Sequence, residues 1–197
     1  MFVDSLLIIL AYLIGSVSGA LIVCRLMGLP DPRTQGSGNP GATNVLRHGG
    51  KKAALITLGF DIFKGVLAVL IAKWLTQEII VLAGVTIAVF LGHLYPIFFQ
   101  FRGGKGVATA FGALLMLTWQ VGVAVLISWL SIAALFRYSS LAAILTAILA
   151  PAYLFWFTGI LEYIIIGFII SVLLIWRHRS NIHNLLDGKE NKIGSKT

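Results

Sequence analysis

Three polar segments interrupt an otherwise apolar chain, and each is built from residue types that bind anions. The first reads GSGNPGATNVLR over 36–47. Gly36, Gly38 and Gly41 permit positive φ, and successive backbone N–H groups in such turns form anion-binding nests. Ser37, Asn39, Thr43 and Asn44 add neutral donors around Pro40 and Ala42, and Arg47 adds a planar fork matched to phosphate. A flexible turn would have a similar composition. A turn between helices, however, needs only a few residues, and this polar loop is about 28 long.

The second segment reads GHLYPIFFQFRGGKGVAT over 92–109. Pro96 should break the helix that carries His93. Gly103, Gly104 and Gly106 flank Lys105 where the next helix begins, and unpaired N–H groups and the positive dipole end favour an anion there. An isolated lysine would read as an anchor that snorkels to headgroups; its glycine setting makes it a candidate phosphate ligand. His93 alone would read as a hydrogen-bonded packing residue, and its place in this segment makes it a candidate for substrate binding. The third segment, RHRSNIHNLLDGKENK over 177–192, would by default be a basic juxtamembrane tail. His178 and Asn181 lie three apart and share one face if the last helix continues.

Other chemistries lack their residues. There is no Walker A loop, no Gly-x-Ser-x-Gly elbow and no His-Glu-x-x-His. None of His48, His93, His178 and His183 is followed by an aspartate after four intervening residues, the pattern of the common acyltransferases that act on thioesters. Cys24 is the only cysteine, so an intramolecular disulfide and a cysteine-rich metal site are both excluded. No metal or other cofactor is expected.

The elements that position these segments are membrane helices. Of 197 residues 58% are hydrophobic and 11% charged, against roughly 45–50% and about 25% in soluble domains. Apolar blocks cover about 2–24, 53–75, 78–98, 107–136, 140–157 and 161–176, each near the roughly 20 residues that cross hydrocarbon as a helix. Arg25, Arg33, Arg47, Lys51 and Lys52 place the loop after the first block in the cytoplasm and the N-terminus outside. The tail with Arg177, Arg179, Lys189, Lys192 and Lys196 reaches the same side only if block four is two short helices, about 107–118 and 121–136. The expected fold is therefore all-α and polytopic, with seven transmembrane helices and a cytoplasmic C-terminus, in a single domain over 1–197. The formal charge of +8 sits in short loops between spans, which points to lipid headgroups and phosphorylated substrates and not to nucleic acid. Asp61 and Lys64, at i and i+3 within a span, can pair, either as a structural bridge or as a support that orients the first loop.

Together with Asp61 and Lys64-Gly65, the three segments closely resemble the signature motifs of the bacterial acyl-phosphate:glycerol-3-phosphate acyltransferases. The resemblance implies transfer of a fatty acyl group from acyl phosphate to the 1-hydroxyl of glycerol 3-phosphate, releasing phosphate and leaving lysophosphatidic acid. It implies a multi-pass protein of the bacterial inner membrane with its site facing the cytoplasm, and no obligate protein partner. Ser37, Gly38, Asn39, Gly41 and Ala42 would hold the acyl-phosphate headgroup. Arg47, Lys105, His178 and Asn181 would hold glycerol 3-phosphate or the shared phosphate region, with the attacking proton taken by His178 or by a substrate phosphate. His48 and Asn184 depart slightly from the family pattern. A transporter for a phosphorylated metabolite would also put glycine breaks and basic residues in spans, but here the polar motifs gather at one face and the halves show no matched broken helices.

The topology is directly testable. Single cysteines placed near Arg33, Arg137 or Lys192 should react with a membrane-impermeant thiol reagent only from the cytoplasmic side, and one near Gln77 only from outside. Labelling of Arg137 and Lys192 positions from opposite sides would break the parity on which the seven-span reading rests.

Overall fold

A computed structural model of the chain describes residues 2–194, and all regular structure among them is helical. The helices form two compact units divided between Leu117 and Thr118. Helix is what lipid demands, because no water is present in the hydrocarbon to satisfy main-chain N–H and C=O groups.

The first unit contains α1 (Phe2–Ser16), α2 (Gly19–Leu26), α3 (Ala42–Leu75), α4 (Ile79–Leu94) and α5 (Val107–Leu117). The apolar stretch 2–24, expected as one straight span, is bent by 41° between α1 and α2. Ser18 sits in an extended conformation at the bend and accepts a hydrogen bond from Leu21 N at 3.4 Å, so α2 starts afresh with its own cap. Helix α3 begins eleven residues before the expected position 53. Gly50, with φ 80° and ψ 175°, interrupts it, so Ala42–Gly49 is a short helical piece ahead of the long one.

Lipid provides no hydrophobic force between helices, so close van der Waals packing must hold them together. Two glycine pairs supply it. A Cβ placed on Gly92 of α4 would lie 2.9 Å from Ser16 N and 3.0 Å from Gly15 C, and one on Gly15 would lie 3.0 Å from Val89 Cα. The α3–α5 crossing repeats the device: a Cβ on Gly65 would lie 2.8 Å from Ala113 N, and one on Gly112 3.0 Å from Ile62 C.

The second unit contains α6 (Trp119–Phe136), α7 (Ser139–Thr158), α8 (Leu161–Arg177) and α9 (Arg179–Leu186). Arg137 and Gly159 adopt left-handed conformations at the two tight turns of this hairpin series. Ser171 Oγ donates to Ala147 O at 2.5 Å and ties α8 to α7, while Ser128 and Tyr153 hydroxyls meet at 2.6 Å between α6 and α7. The last apolar helix does not run on straight: α8 and α9 meet at 57° at His178.

The expected division of 107–136 is present as the break at Thr118. Among the described residues four helices are individually long and apolar enough to cross a membrane, and counting each bent pair as one span gives six. Helix α5 is the remaining apolar segment; its 11 residues rise only about 16 Å. Its C-terminal carbonyls are not left bare. Lys73 donates from Nζ to Met116 O at 3.2 Å and Leu117 O at 3.3 Å. A cation there also suits the negative end of the α5 dipole.

Lys73→Met keeps the aliphatic stem and removes these bonds. It should cost about 1–2 kcal/mol, read as a lower Tm in detergent, and Lys73→Arg should recover most of it; equal Tm values for Met and Arg variants would show that the cap contributes nothing.

Candidate active site

The first polar segment is a loop tied to itself. Asp31 opens it: its carboxylate accepts from Arg33 N at 2.8 Å, Arg33 Nη2 at 2.7 Å and Arg33 Nε at 3.1 Å. These bonds from Arg33 hold the Asp31 carboxyl below its ordinary pKa, so Arg33 is a loop clamp. Asn44, on the first turn of α3, is buried and donates from Nδ2 to Pro32 O at 2.8 Å and Gln35 O at 3.0 Å. Its Oδ1 accepts from Ser37 N at 3.1 Å. Asn44, a candidate substrate residue, thus shapes the loop around it.

The nest expected from the glycines is only partly realised. Gly36 and Gly38 do take positive φ, at 52° and 66°, but Gly41 is extended at −144°. The Gly38 N–H donates to Gln35 O at 2.9 Å and the Gly41 N–H to Asn39 O at 2.9 Å. Three amides of the nest, those of Ser37, Gly38 and Gly41, thus serve the loop itself. The anion-binding feature lies a few residues further on. Gly41 is the N-cap of α3, so the amides of Ala42 and Thr43 open a helix, where no preceding turn supplies their acceptors. Thr43 and Arg47 follow at i and i+4 on one face of the short helical piece, with Thr43 exposed and Arg47 half-buried. Ser37 and Gly36 are exposed nearby in sequence, and Asn39 is half-buried.

In the second segment α4 stops at Leu94, and a single 3-10 turn over Ile97–Phe99 follows Pro96. The chain then doubles back, with Phe101 N donating to Pro96 O at 2.9 Å and Gly104 N to His93 O at 3.1 Å. Gly103 and Gly104 are buried, and Lys105 is half-buried just ahead of Gly106, whose φ of 89° precedes α5. Beneath this loop lies a cluster of buried polar groups. Lys64 Nζ is 2.9 Å from Asp61 Oδ1 and donates to Val17 O at 2.9 Å, at the bend between α1 and α2. His93 Nδ1 lies 3.6 Å from the same Asp61 oxygen and 3.2 Å from Thr109 Oγ1. The intramembrane pair expected from the i, i+3 spacing is therefore made, and it gains a histidine and a threonine from two other helices.

The third segment carries its residues in the second unit. His178 stands at the α8–α9 junction, so it and Asn181 do not continue one straight helical face. His178 Nδ1 is 2.8 Å from Leu174 O. A carbonyl only accepts, so Nδ1 carries the proton and Nε2 is the basic nitrogen of the neutral ring. Asn181 Nδ2 donates to Glu190 Oε1 at 2.8 Å, which also accepts from Ser140 Oγ at 2.6 Å. Ile193 N donates to Arg137 O at 2.6 Å and draws the tail onto the α6–α7 turn. Among the described residues no group of three or more His, Cys, Asp or Glu side chains is gathered as a metal site would require.

The family model described as "Glycerol-3-phosphate acyltransferase" matches residues 5–188. The chain belongs to the glycerol-3-phosphate acyltransferase family. It is 53% identical over 194 residues to the glycerol-3-phosphate acyltransferase of Methylococcus capsulatus, covering 98% of each chain. With that of Thioalkalivibrio sulfidiphilus it is 54% identical over 197 residues, covering 100% of this chain and 97% of the other. Its fold is similar to the crystal structure of PlsY (YgiH), an integral membrane glycerol 3-phosphate acyltransferase, in the glycerol 3-phosphate form. The TM-score is 0.92 at 41% identity over 97% of this chain and 96% of that one. The lysophosphatidic acid form gives 0.90 at 40% identity over 97% and 95%. This glycerol-3-phosphate acyltransferase is an integral membrane protein of phospholipid synthesis.

Sequence reasoning missed four sets of contacts that hold the candidate residues within each unit: Asp31 with Arg33, and Thr109, in the first, and Leu174 through its carbonyl and Glu190 with Ser140 in the second. Asp31 had a local signal, an acid two residues before an arginine in a Pro-flanked turn. The others act across long separations or through main chain.

Removing the loop tie is informative. Asn44→Asp keeps the size but replaces two donor hydrogens by acceptors facing two carbonyls, so it should cost at least about 2 kcal/mol and open the loop to proteolysis between 30 and 41. A variant with unchanged Tm and protease resistance would mean that the three bonds do not hold the loop.

Proposed function

We propose that this acyltransferase moves a fatty acyl group from acyl phosphate to the 1-hydroxyl of glycerol 3-phosphate at the cytoplasmic face of a bacterial inner membrane. The observation that carries this reading is the pairing of anion-binding helix starts with basic residues, Ala42 and Thr43 with Arg47, and the glycine loop with Lys105. The relatives' activity and the two PlsY forms, with glycerol 3-phosphate and with lysophosphatidic acid, support the acceptor and the product. The acyl-phosphate donor is what the resemblance of the three segments implies, and helix starts and basic residues suited to anions support it.

In the proposed reaction the glycerol 1-oxygen attacks the acyl carbonyl carbon. The bond from that carbon to the phosphate oxygen breaks, its electron pair leaves with phosphate, and the hydroxyl proton ends on that phosphate. An acyl phosphate arrives activated, so binding and orientation with charge stabilisation supply most of the catalysis. Gly36, Ser37, Gly38, Asn39, Pro40, Gly41 and Ala42 shape and present the donor's headgroup site, with Asn44 holding it. Arg47 and Lys105 neutralise phosphate oxygens, with Thr43, Gly103 and Gly104 beside them. His178, its Nδ1 pinned by Leu174 O, offers Nε2 to the attacking hydroxyl, and Asn181 serves glycerol 3-phosphate. We further propose seven spans with the N-terminus outside and the C-terminus in the cytoplasm. Residues 1–197 would act as one domain without a metal, cofactor or obligate protein partner.

The test is purified protein with acyl phosphate and labelled glycerol 3-phosphate, scored for lysophosphatidic acid in a chelator and without acyl-CoA. Product should form; dependence on acyl-CoA or on added zinc would overturn the donor or the metal assignment. Arg47→Ala and Lys105→Ala each remove a charge-assisted contact of about 1.5–3 kcal/mol, so kcat/KM should fall roughly tenfold to a hundredfold or more. Arg47→Lys should keep only part of the activity, because it loses the planar fork.

A further inference from the structure

We propose that His93 is a positioning residue: buried side chains fix its imidazole, and the imidazole is the floor that sets where the Gly103–Gly106 loop presents Lys105. The proposal rests on the reading of Lys105 as a phosphate ligand. The ring is 8% exposed, and its Nδ1 faces Thr109 Oγ1 at 3.2 Å and Asp61 Oδ1 at 3.6 Å. Asp61 is in turn paired with Lys64 at 2.9 Å, and Lys64 donates to Val17 O at 2.9 Å. The ring is thus held by α3 and α5, and through Lys64 by the α1–α2 bend.

The loop lies directly on it. Gly104 N donates to His93 O at 3.1 Å. A Cβ on Gly104 would come within 3.0 Å of ring atom Cε1 and closer still to Nε2. A Cβ on Gly103 would meet Leu94 O and Pro96 Cδ at 2.6 Å. Both glycines therefore rest on the end of α4 without room for a side chain, and the next residue is Lys105. A rigid ring held on one side and covered on the other fixes the height of the backbone that carries the cation. A shift of about 1 Å at a group that orients a reacting phosphate can cost about a hundredfold in rate.

A structural ion pair or a direct substrate contact would behave differently from a positioning residue, and a double-mutant cycle separates them. His93→Gln alone should lower kcat/KM for glycerol 3-phosphate about tenfold to a hundredfold. In a Lys105→Ala background, with no cation left to position, the same change should cost less than about twofold. If the two losses multiply, His93 acts independently of Lys105 and the proposal is wrong; wild-type kinetics for His93→Gln would overturn it equally. Thr109→Val, which removes the hydroxyl beside Nδ1 and keeps the shape, runs the same cycle if His93→Gln does not fold. A Lys105→Ala enzyme with wild-type kinetics would remove the phosphate reading of Lys105 and this proposal together, whereas multiplied losses remove only the proposal.

Discussion

Lys64 and Asp61 set the terms for the first unit, because a charge inside lipid must bring its partners with it. Each side chain is 3–4% exposed, and the ammonium lies 2.9 Å from both the carboxylate and Val17 O. Removing one partner would strand the other, which is far costlier than never having built the pair. The pair therefore dictates local geometry. The bend between α1 and α2 frees the carbonyl that Lys64 takes, and Asp61 retains acceptor capacity for the His93 side of the cluster.

The other helix ends follow the same rule, that a main-chain group exposed by a break needs a named acceptor or donor. Lys73 covers the carbonyls at the end of the short α5. Tyr12 OH donates to Tyr95 O at 2.7 Å, where α4 gives way to the proline turn. Each of these side chains does the work that water does in a soluble protein, and each therefore fixes the direction in which the chain leaves its helix. The loops that begin at these points inherit that direction. This is how loops at a membrane surface hold shape without a soluble domain around them.

The apolar blocks were legible because composition and length suffice once the solvent is lipid, and the division of 107–136 was legible because charge parity demanded it. The bends were not. Ser16 to Gly19 reads as ordinary apolar helix unless the partner for Val17 O, 47 residues away, is known. Gly50 is equally hard to place, since a glycine hinge inside a helix and a glycine in a turn look alike in sequence. Gly15, Gly92 and Gly112 were invisible as packing residues, although Gly15 and Gly19 at a four-residue spacing carry the small-residue signal. Among the candidate residues, Arg47, Lys105 and His178 stood out by type. The orienter of His178 did not, because a backbone carbonyl has no letter of its own.

The first loop shows why a long motif need not mean many ligands. Asn44, the Ser37, Gly38 and Gly41 amides and the Asp31–Arg33 clamp are all engaged in holding the loop. What remains to meet an anion is the start of α3 and the arginine one turn beyond it. That division suits recognition of a phosphate group. If the loop had to reorganise when phosphate arrived, part of the binding energy would go into ordering it, and less would appear as stabilisation of the charge that develops in the transition state. A loop already saturated by its own hydrogen bonds presents its few outward donors at fixed positions. The polar groups that tie the loop to itself are therefore what holds its few outward donors in place.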